Sequence, residues 1–314
     1  MTLFSATLNQ TAILLFFIVA GYILSKWKFV PDNAQATLSK LENNLLVPAL
    51  VMGTFISKFT VETISVAWKL LLGSLALAIV AIVISLLCVR LFSKDGYERN
   101  IYAYGLCFSN FGFMGNAVVG ALFPDIFLEY LIFTLPLWTL IYLFGVPTLL
   151  IGSATEKLTL AQRLKNFVNP MCISMILGMV IGLVNIPIPG FIQSAINSAG
   201  NCMSPVAMLL TGMSIAQFDL KKILTLKGVY VSAVLRLVVY PLAFLGIIAL
   251  VPIPHTFAIC ALSSLAMPTG LTSIIVPAAY GKDTRIASGM ALVSHVLSCI
   301  TIPVIFMLFQ GMTA

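Results

Sequence analysis

The chain is 314 residues long, 60% apolar and only 9% charged, with a mean hydropathy of +1.08. Ordinary soluble domains carry about 25% charged residues, so this composition excludes a soluble globular protein. The net charge of +7 does not point to nucleic acid, because most basic residues stand in short stretches between apolar runs. Those runs are long, whereas barrel strands would be alternating segments of about 10 residues. The expected fold class is an all-α integral membrane protein.

Crossing a bilayer takes about 20 residues of helix. The first span is expected from Leu8 to Leu24. No charged residue precedes it, and Lys26 and Lys28 follow it, which fits a retained span rather than a cleaved signal peptide. The second runs from Leu38 to Ser57 and starts polar, with Lys40 and Glu42. The third lies between Lys69 and Arg90, the fourth between Arg99 and Asp125, and the fifth between Glu129 and Glu156. A basic linker is expected at 153–165, where Glu156, Lys157, Arg163 and Lys165 cluster. Asn166 to Phe218 carries no charge and is too long for one span. Pro187-Ile188-Pro189-Gly190 supplies a turn and divides it into spans six and seven. The eighth runs from Gly228 to Val251 and contains Arg236. Pro252-Ile253-Pro254-His255 turns the chain into the ninth, Thr256 to Tyr280, and the tenth is Ile286 to Phe309.

Ten spans predict a charge pattern. One set of loops holds Lys26, Lys28, Arg90, Lys94, Arg99, Lys157, Arg163, Lys165, Lys221, Lys222, Lys227, Lys282 and Arg285, and the opposite set only Lys58 and Lys69. The first set is placed in the cytoplasm, with both termini outside. The expected location is the cell inner (plasma) membrane, multi-pass.

The two halves also repeat. Ser109-Asn110-Phe111-Gly112-Phe113-Met114-Gly115 interrupts the fourth span, and Met267-Pro268-Thr269-Gly270-Leu271-Thr272-Ser273 the ninth. Gly112 falls on Gly270 (270 − 112 = 158) and Asp125 on Asp283 (283 − 125 = 158). Asn44 with Pro48 recurs as Asn201 with Pro205 (205 − 48 = 157). Five spans per half reverse the entry side, so 1–152 and 166–314 are expected to form two inverted five-helix repeats, with broken crossover helices 4 and 9. Breaks at matching places are a sequence pointer to a transporter's binding site.

Gly112, Gly115 and Gly270 loosen a helix and Pro268 removes a backbone donor. Half-helix N-termini suit an anion, and Ser109, Asn110, Asn116 and Thr269 add neutral polar groups. A packing kink is the plain alternative for either break alone. Downstream of Pro48 and Pro205 stand Gly53-Thr54 and Thr211-Gly212-Met213-Ser214; these small residues allow close helix approach, or the two spans help to wall the same site. Arg236 and His295 are the ionisable side chains farthest from any loop, candidates for substrate contact, gating or proton transfer; snorkelling and hydrogen-bonded packing are the plain alternatives. No Asp or Glu is expected deep in a span, with Glu42 the nearest case. The six cysteines lie in apolar stretches without ligand spacing and are expected to be packed free thiols, with no metal site. No ATPase or metalloprotease motif is present, and no enzyme activity or cofactor is expected.

The blocks Gly21-Tyr22, Leu46-Val47-Pro48-Ala49-Leu50, Asn110 to Gly115, Ser204 to Ser214, Ala266-Met267-Pro268-Thr269, Tyr280-Gly281-Lys282-Asp283 with Ala287-Ser288, and Ile300-Thr301-Ile302-Pro303 resemble the auxin efflux carrier family of membrane transport proteins. The resemblance spans nearly the whole chain and is to a compact bacterial-type member. It implies a bile acid–sodium symporter-like fold, helices four and nine crossing near the midplane, an elevator-like moving bundle, and export or exchange of organic anions. The family's crossover Asn and Pro fall on Asn110 and Pro268. Plant carriers have an Asn-Pro pair where this chain has Asn110-Phe111, which argues against auxin as substrate. A small organic anion, a carboxylate, is the expected partner, with Asn110 and Thr269 holding it; sodium or proton coupling and a homodimer are left open. A ligand-binding membrane sensor on the same fold is the alternative, and a channel the third choice.

Overall fold

The computed structural model describes residues 3–31, 33–151, 170–217, 221 and 224–313. The linker expected at 153–165, the start of the sixth span at Asn166 and the end of the seventh at Phe218 lie outside them. The described residues form helices and no strand. Six stretches are long and apolar enough to cross a bilayer: Phe4–Lys26, Ala67–Cys88, Pro124–Ile151, Gly190–Ala216, Lys227–Leu250 and Arg285–Met312. Phe111–Leu122, Pro170–Val184 and His255–Ala266 are shorter apolar helices. The chain is a multi-pass membrane protein with a helical fold. The fourth and ninth expected spans are divided into halves too short to qualify alone, for the reason described below.

Helix α1 is Leu3–Lys26. The second expected span is three pieces: α2 (Ala34–Leu41), a π-helical turn Glu42–Leu46, and α3 (Val47–Lys58). Pro48 is the second residue of α3, directly after the π-helical turn. Helix α4 is Val61–Cys88 and begins with a reciprocal cap between Thr60 and Thr63. Helix α5 (Gly96–Cys107) ends at the first break, and the chain resumes as a π-helical turn Phe111–Gly115 and α6 (Asn116–Leu122). Helix α7 (Phe127–Leu140) continues as π-helix through Ile141–Ile151.

The second half of the chain starts with α8 (Pro170–Val184), α9 (Gly190–Asn201) and α10 (Met203–Ala216), with Pro205 in the first turn of α10. Helix α11 (Lys227–Val234) and α12 (Tyr240–Leu250) flank the π-helical turn Leu235–Val239. Helix α13 (His255–Ala266) ends at the second break, α14 (Thr272–Ala279) follows it, and α15 (Arg285–Thr313) closes the chain.

In a membrane, packing rather than hydrophobic exclusion holds helices together, so small residues mark the close contacts. A Cβ on Gly21 would lie 2.1 Å from the Leu209 carbonyl oxygen, and one on Gly212 1.9 Å from that of Ile18, so α1 and α10 touch backbone to backbone. Gly178 and Gly182 of α8 and Gly200 of α9 press in the same way on Met52, Phe55 and Leu50 of α3. The close-approach role expected near Pro48 and Pro205 is thus present. Cys202 departs from the expected packing of the thiols: it is exposed at the joint of α9 and α10, although all six cysteines are free.

Candidate functional site

The two breaks meet. Ser109 and Thr269 form an antiparallel bridge, the Asn110 N–H donates to the Pro268 carbonyl at 2.7 Å, and the Gly270 N–H donates to the Phe108 carbonyl at 3.2 Å. Asn110 and Pro268 are also equivalent under the sequence offset (268 − 110 = 158). Interrupted helices leave orphan backbone groups that the hydrocarbon cannot satisfy. Here part of that requirement is met by pairing one break with the other. Met267 is extended, as a residue before proline prefers to be, so Pro268 sets the second break.

Polar side chains complete the crossing. Arg236 is 2% exposed and donates from Nη1 to the Leu106 carbonyl (2.9 Å), from Nη2 to that of Ser264 (3.0 Å) and from Nε to that of Met267 (3.3 Å). These carbonyls belong to the ends of α5 and α13, where two helix dipoles present negative charge and unpaired acceptors. One rigid guanidinium fork satisfies both ends. The Ser109 hydroxyl also donates to the Ser264 carbonyl at 2.7 Å, and the Thr269 N–H to Ser294 Oγ at 3.1 Å.

His295 is buried beside them. Its Nδ1 lies 2.7 Å from the Ala291 carbonyl, an acceptor only, so Nδ1 carries a hydrogen. Its Nε2 lies 3.0 Å from Asn110 Nδ2 and accepts the amide hydrogen in the neutral ring. The structure therefore brings Ser109, Asn110, Thr269, Arg236 and His295 into one hydrogen-bonded knot. Arg236 does not snorkel.

The glycines contribute space. None of Gly112, Gly115 and Gly270 has a positive φ. A Cβ on Gly112 would meet the Trp138 ring at 2.4 Å, and one on Gly115 the Tyr130 hydroxyl at 2.1 Å. That hydroxyl donates to the Phe111 carbonyl at 2.9 Å, tying α7 to the restart of the first broken helix.

Beside the knot lies a cavity of about 750 Å³. Gly112, Phe113 and Asn116 line it from the restart of the first broken helix, and Thr272 and Ile275 from α14. Asn43, Val47, Val51 and Phe55 come from the second expected span, and Thr134, Trp138 and Tyr142 from α7 and its π-helical continuation. The wall is apolar and aromatic with scattered neutral polar groups. A second cavity of about 430 Å³ is lined by Thr54, Lys58, Asn197 and Ser204 among others, and Lys58 Nζ also bonds the Pro124 carbonyl. Asn116 lines both cavities, is 8% exposed, and its Oδ1 has no hydrogen-bond partner.

Of the residues singled out from sequence, Gly112 and Asn116 line the main cavity, whereas Ser109, Asn110, Thr269, Arg236 and His295 form the knot behind it. Thr272, Thr134 and the stacked pair Trp138 and Tyr142 were not anticipated. The i, i+4 spacing of Thr134, Trp138 and Tyr142 was the available signal, and it is common on any helix. One side chain is more enclosed than its place in the sequence suggests. Glu42 is fully buried, and neither carboxyl oxygen has a partner. It sits near the polar start of a span, but α3, α8, α9 and α10 pack around that turn and cover it. Among the described residues no group of His, Cys, Asp and Glu could hold a metal ion.

Comparison with curated proteins finds no match. The chain does match the family described as membrane transport protein, over residues 6–152 and 148–306. Together the two segments cover almost the whole sequence, and the chain belongs to that membrane transport family, the auxin efflux carriers and their relatives.

Proposed function

We propose that this transporter is a secondary carrier for a small organic anion, a carboxylate, working by alternating access. The observation that carries the reading is the crossing of the two broken helices beside the cavity, with the restarting turns at Phe111 and Thr272 both bordering it. Helix N-termini carry partial positive charge and unpaired N–H groups, which suit a carboxylate. The aromatic and apolar wall suits its organic body.

In this reading the carboxylate lies against the restarting turns and the Asn116 amide. Asn110, Ser109, Thr269 and Arg236 hold the crossing in shape, and His295 orients Asn110. The two halves are inverted repeats of five helices each, with the termini on the non-cytoplasmic side. The second cavity, bordered by Lys58, then opens outward, and the main cavity, bordered by Ile151 and Tyr280, opens to the cytoplasm. Asn116 stands between them. An elevator-like shift of the crossing against the helices around Pro48 and Pro205 would exchange access from one side to the other.

The test is a counterflow screen of labelled mono- and dicarboxylates in proteoliposomes, with sodium and pH varied. Saturable counterflow of at least one carboxylate is expected, and Asn110→Ala is expected to abolish it in protein that remains folded. Binding without counterflow would replace this reading with a ligand-binding sensor. Intact transport in Asn110→Ala would remove the crossing from the mechanism.

A further inference from the structure

The carboxyl group of Glu42 is buried completely, and both of its oxygens lack a partner. A carboxylate without a counter-ion or donors is among the most costly groups to place in a low-dielectric interior, and it takes a proton instead. Among the described residues the surroundings supply no alternative. Of the helices packed on this turn, α9 and α10 carry no charged residue; α2 brings Lys40, which is exposed, and α3 brings Lys58, which bonds the Pro124 carbonyl. Helix α8 carries the Cys172 thiol and no charged residue. The hydroxyls of Thr211 and Ser214 on α10 donate to the Ala207 and Leu210 carbonyls of their own helix.

The position is unusual for a second reason. Glu42 opens the π-helical turn Glu42–Leu46, and the next two residues, Asn43 and Asn44, line the main cavity. A π-turn holds one extra residue in the helical register, and such turns recur at functional sites. Relaxing it to α-helix rotates the residues on one side of the turn by about 100° relative to the other. A rotation of that size is the angular step between neighbouring helix positions, such as Glu42 and the cavity-lining Asn43.

We propose that Glu42 is a proton-binding site of this transporter. It is neutral in the conformation described here and releases its proton when the turn brings it to the cavity. Binding forms a carboxyl O–H bond with a proton from water on one side of the membrane; release returns that proton to water on the other. The inference rests on the transporter reading for its coupling role, but not for the protonation itself.

Infrared difference spectroscopy across a pH series, on protein reconstituted in lipid, reads the protonation directly. The C=O stretch of a protonated carboxylic acid is expected at neutral pH in the wild type and missing in Glu42→Gln. Transport of the carboxylate selected by the counterflow screen reads the coupling. In the wild type its rate titrates with pH and an imposed pH gradient drives accumulation; in Glu42→Gln the titration and the gradient-driven accumulation disappear. Glu42→Asp restores both, with a displaced pH midpoint. The proposal is overturned if the band is missing from the wild type or survives in Glu42→Gln, or if Glu42→Gln still accumulates substrate from a pH gradient. Failure of all counterflow in the wild type strikes the transporter reading, and the infrared result still decides the protonation of Glu42.

Discussion

The crossing and the cavity wall treat buried polar groups in opposite ways. At the crossing, Arg236 reaches three carbonyls, the Asn110 amide is held by His295, and the Ser109 hydroxyl and the Thr269 N–H both have partners. Along the cavity and its neighbouring turn, Asn116 Oδ1 and both oxygens of Glu42 have none. Buried polar groups left unpaired cost about 1–3 kcal/mol each. The paired set is therefore what keeps two broken helices tolerable at membrane depth. In the proposed reading, Asn116 and Glu42 carry a cost that a bound ligand or a proton relieves.

The largest expected effect is at Arg236. Arg236→Met strands the Leu106 and Met267 carbonyls and is expected to lower stability by about 3 kcal/mol, read as a fall in the thermal midpoint of purified protein. Arg236→Lys should recover only part of it, because one ammonium cannot copy the fork. Full recovery by lysine would show that charge alone matters there.

Next is Gly115→Ala, whose Cβ would collide with the Tyr130 hydroxyl. Overpacking of this kind costs about 1–3 kcal/mol. Adding Tyr130→Phe removes the colliding oxygen, so the double variant should be less destabilised than the sum of the two single changes. Simple additivity would mean that Gly115 does not serve close approach.

Asn116→Ala sharpens the contrast from the other side. Removing the unpartnered Oδ1 relieves a cost, so stability should hold or rise by about 1 kcal/mol. Counterflow should fall by about tenfold, the effect of losing roughly 1.4 kcal/mol of contact with the substrate. A large stability loss with unchanged transport would move Asn116 into the structural set.

The smallest effect belongs to a paired but exposed group. Asp283 accepts hydrogen bonds from the side chain and N–H of Arg285, which hold its carboxyl below the ordinary carboxylate range. A depressed carboxylate contributes stability that is fully present above its unfolded pKa of about 3.9 and is lost as pH falls through the lower folded value. The pair is solvent-screened, so Asp283→Asn should leave the thermal midpoint unchanged at neutral pH and slightly flatten its decline in acid.

Much of the molecule could be read from residues alone. Composition and the lengths of the apolar runs give a helical membrane protein, because the bilayer imposes helix length and internal hydrogen bonding. The offset between Gly112 and Gly270 located both breaks, since glycine and proline act on the backbone locally, wherever the rest of the chain lies. Pairing is different. That Arg236 would cap two helix ends, that His295 would face Asn110, and that Glu42 would be covered by helices from both halves of the chain depend on contacts between segments far apart in sequence. Local pattern carries no record of which neighbour fills a space, so only the tertiary structure separated the polar groups that hold the crossing from those buried without a partner.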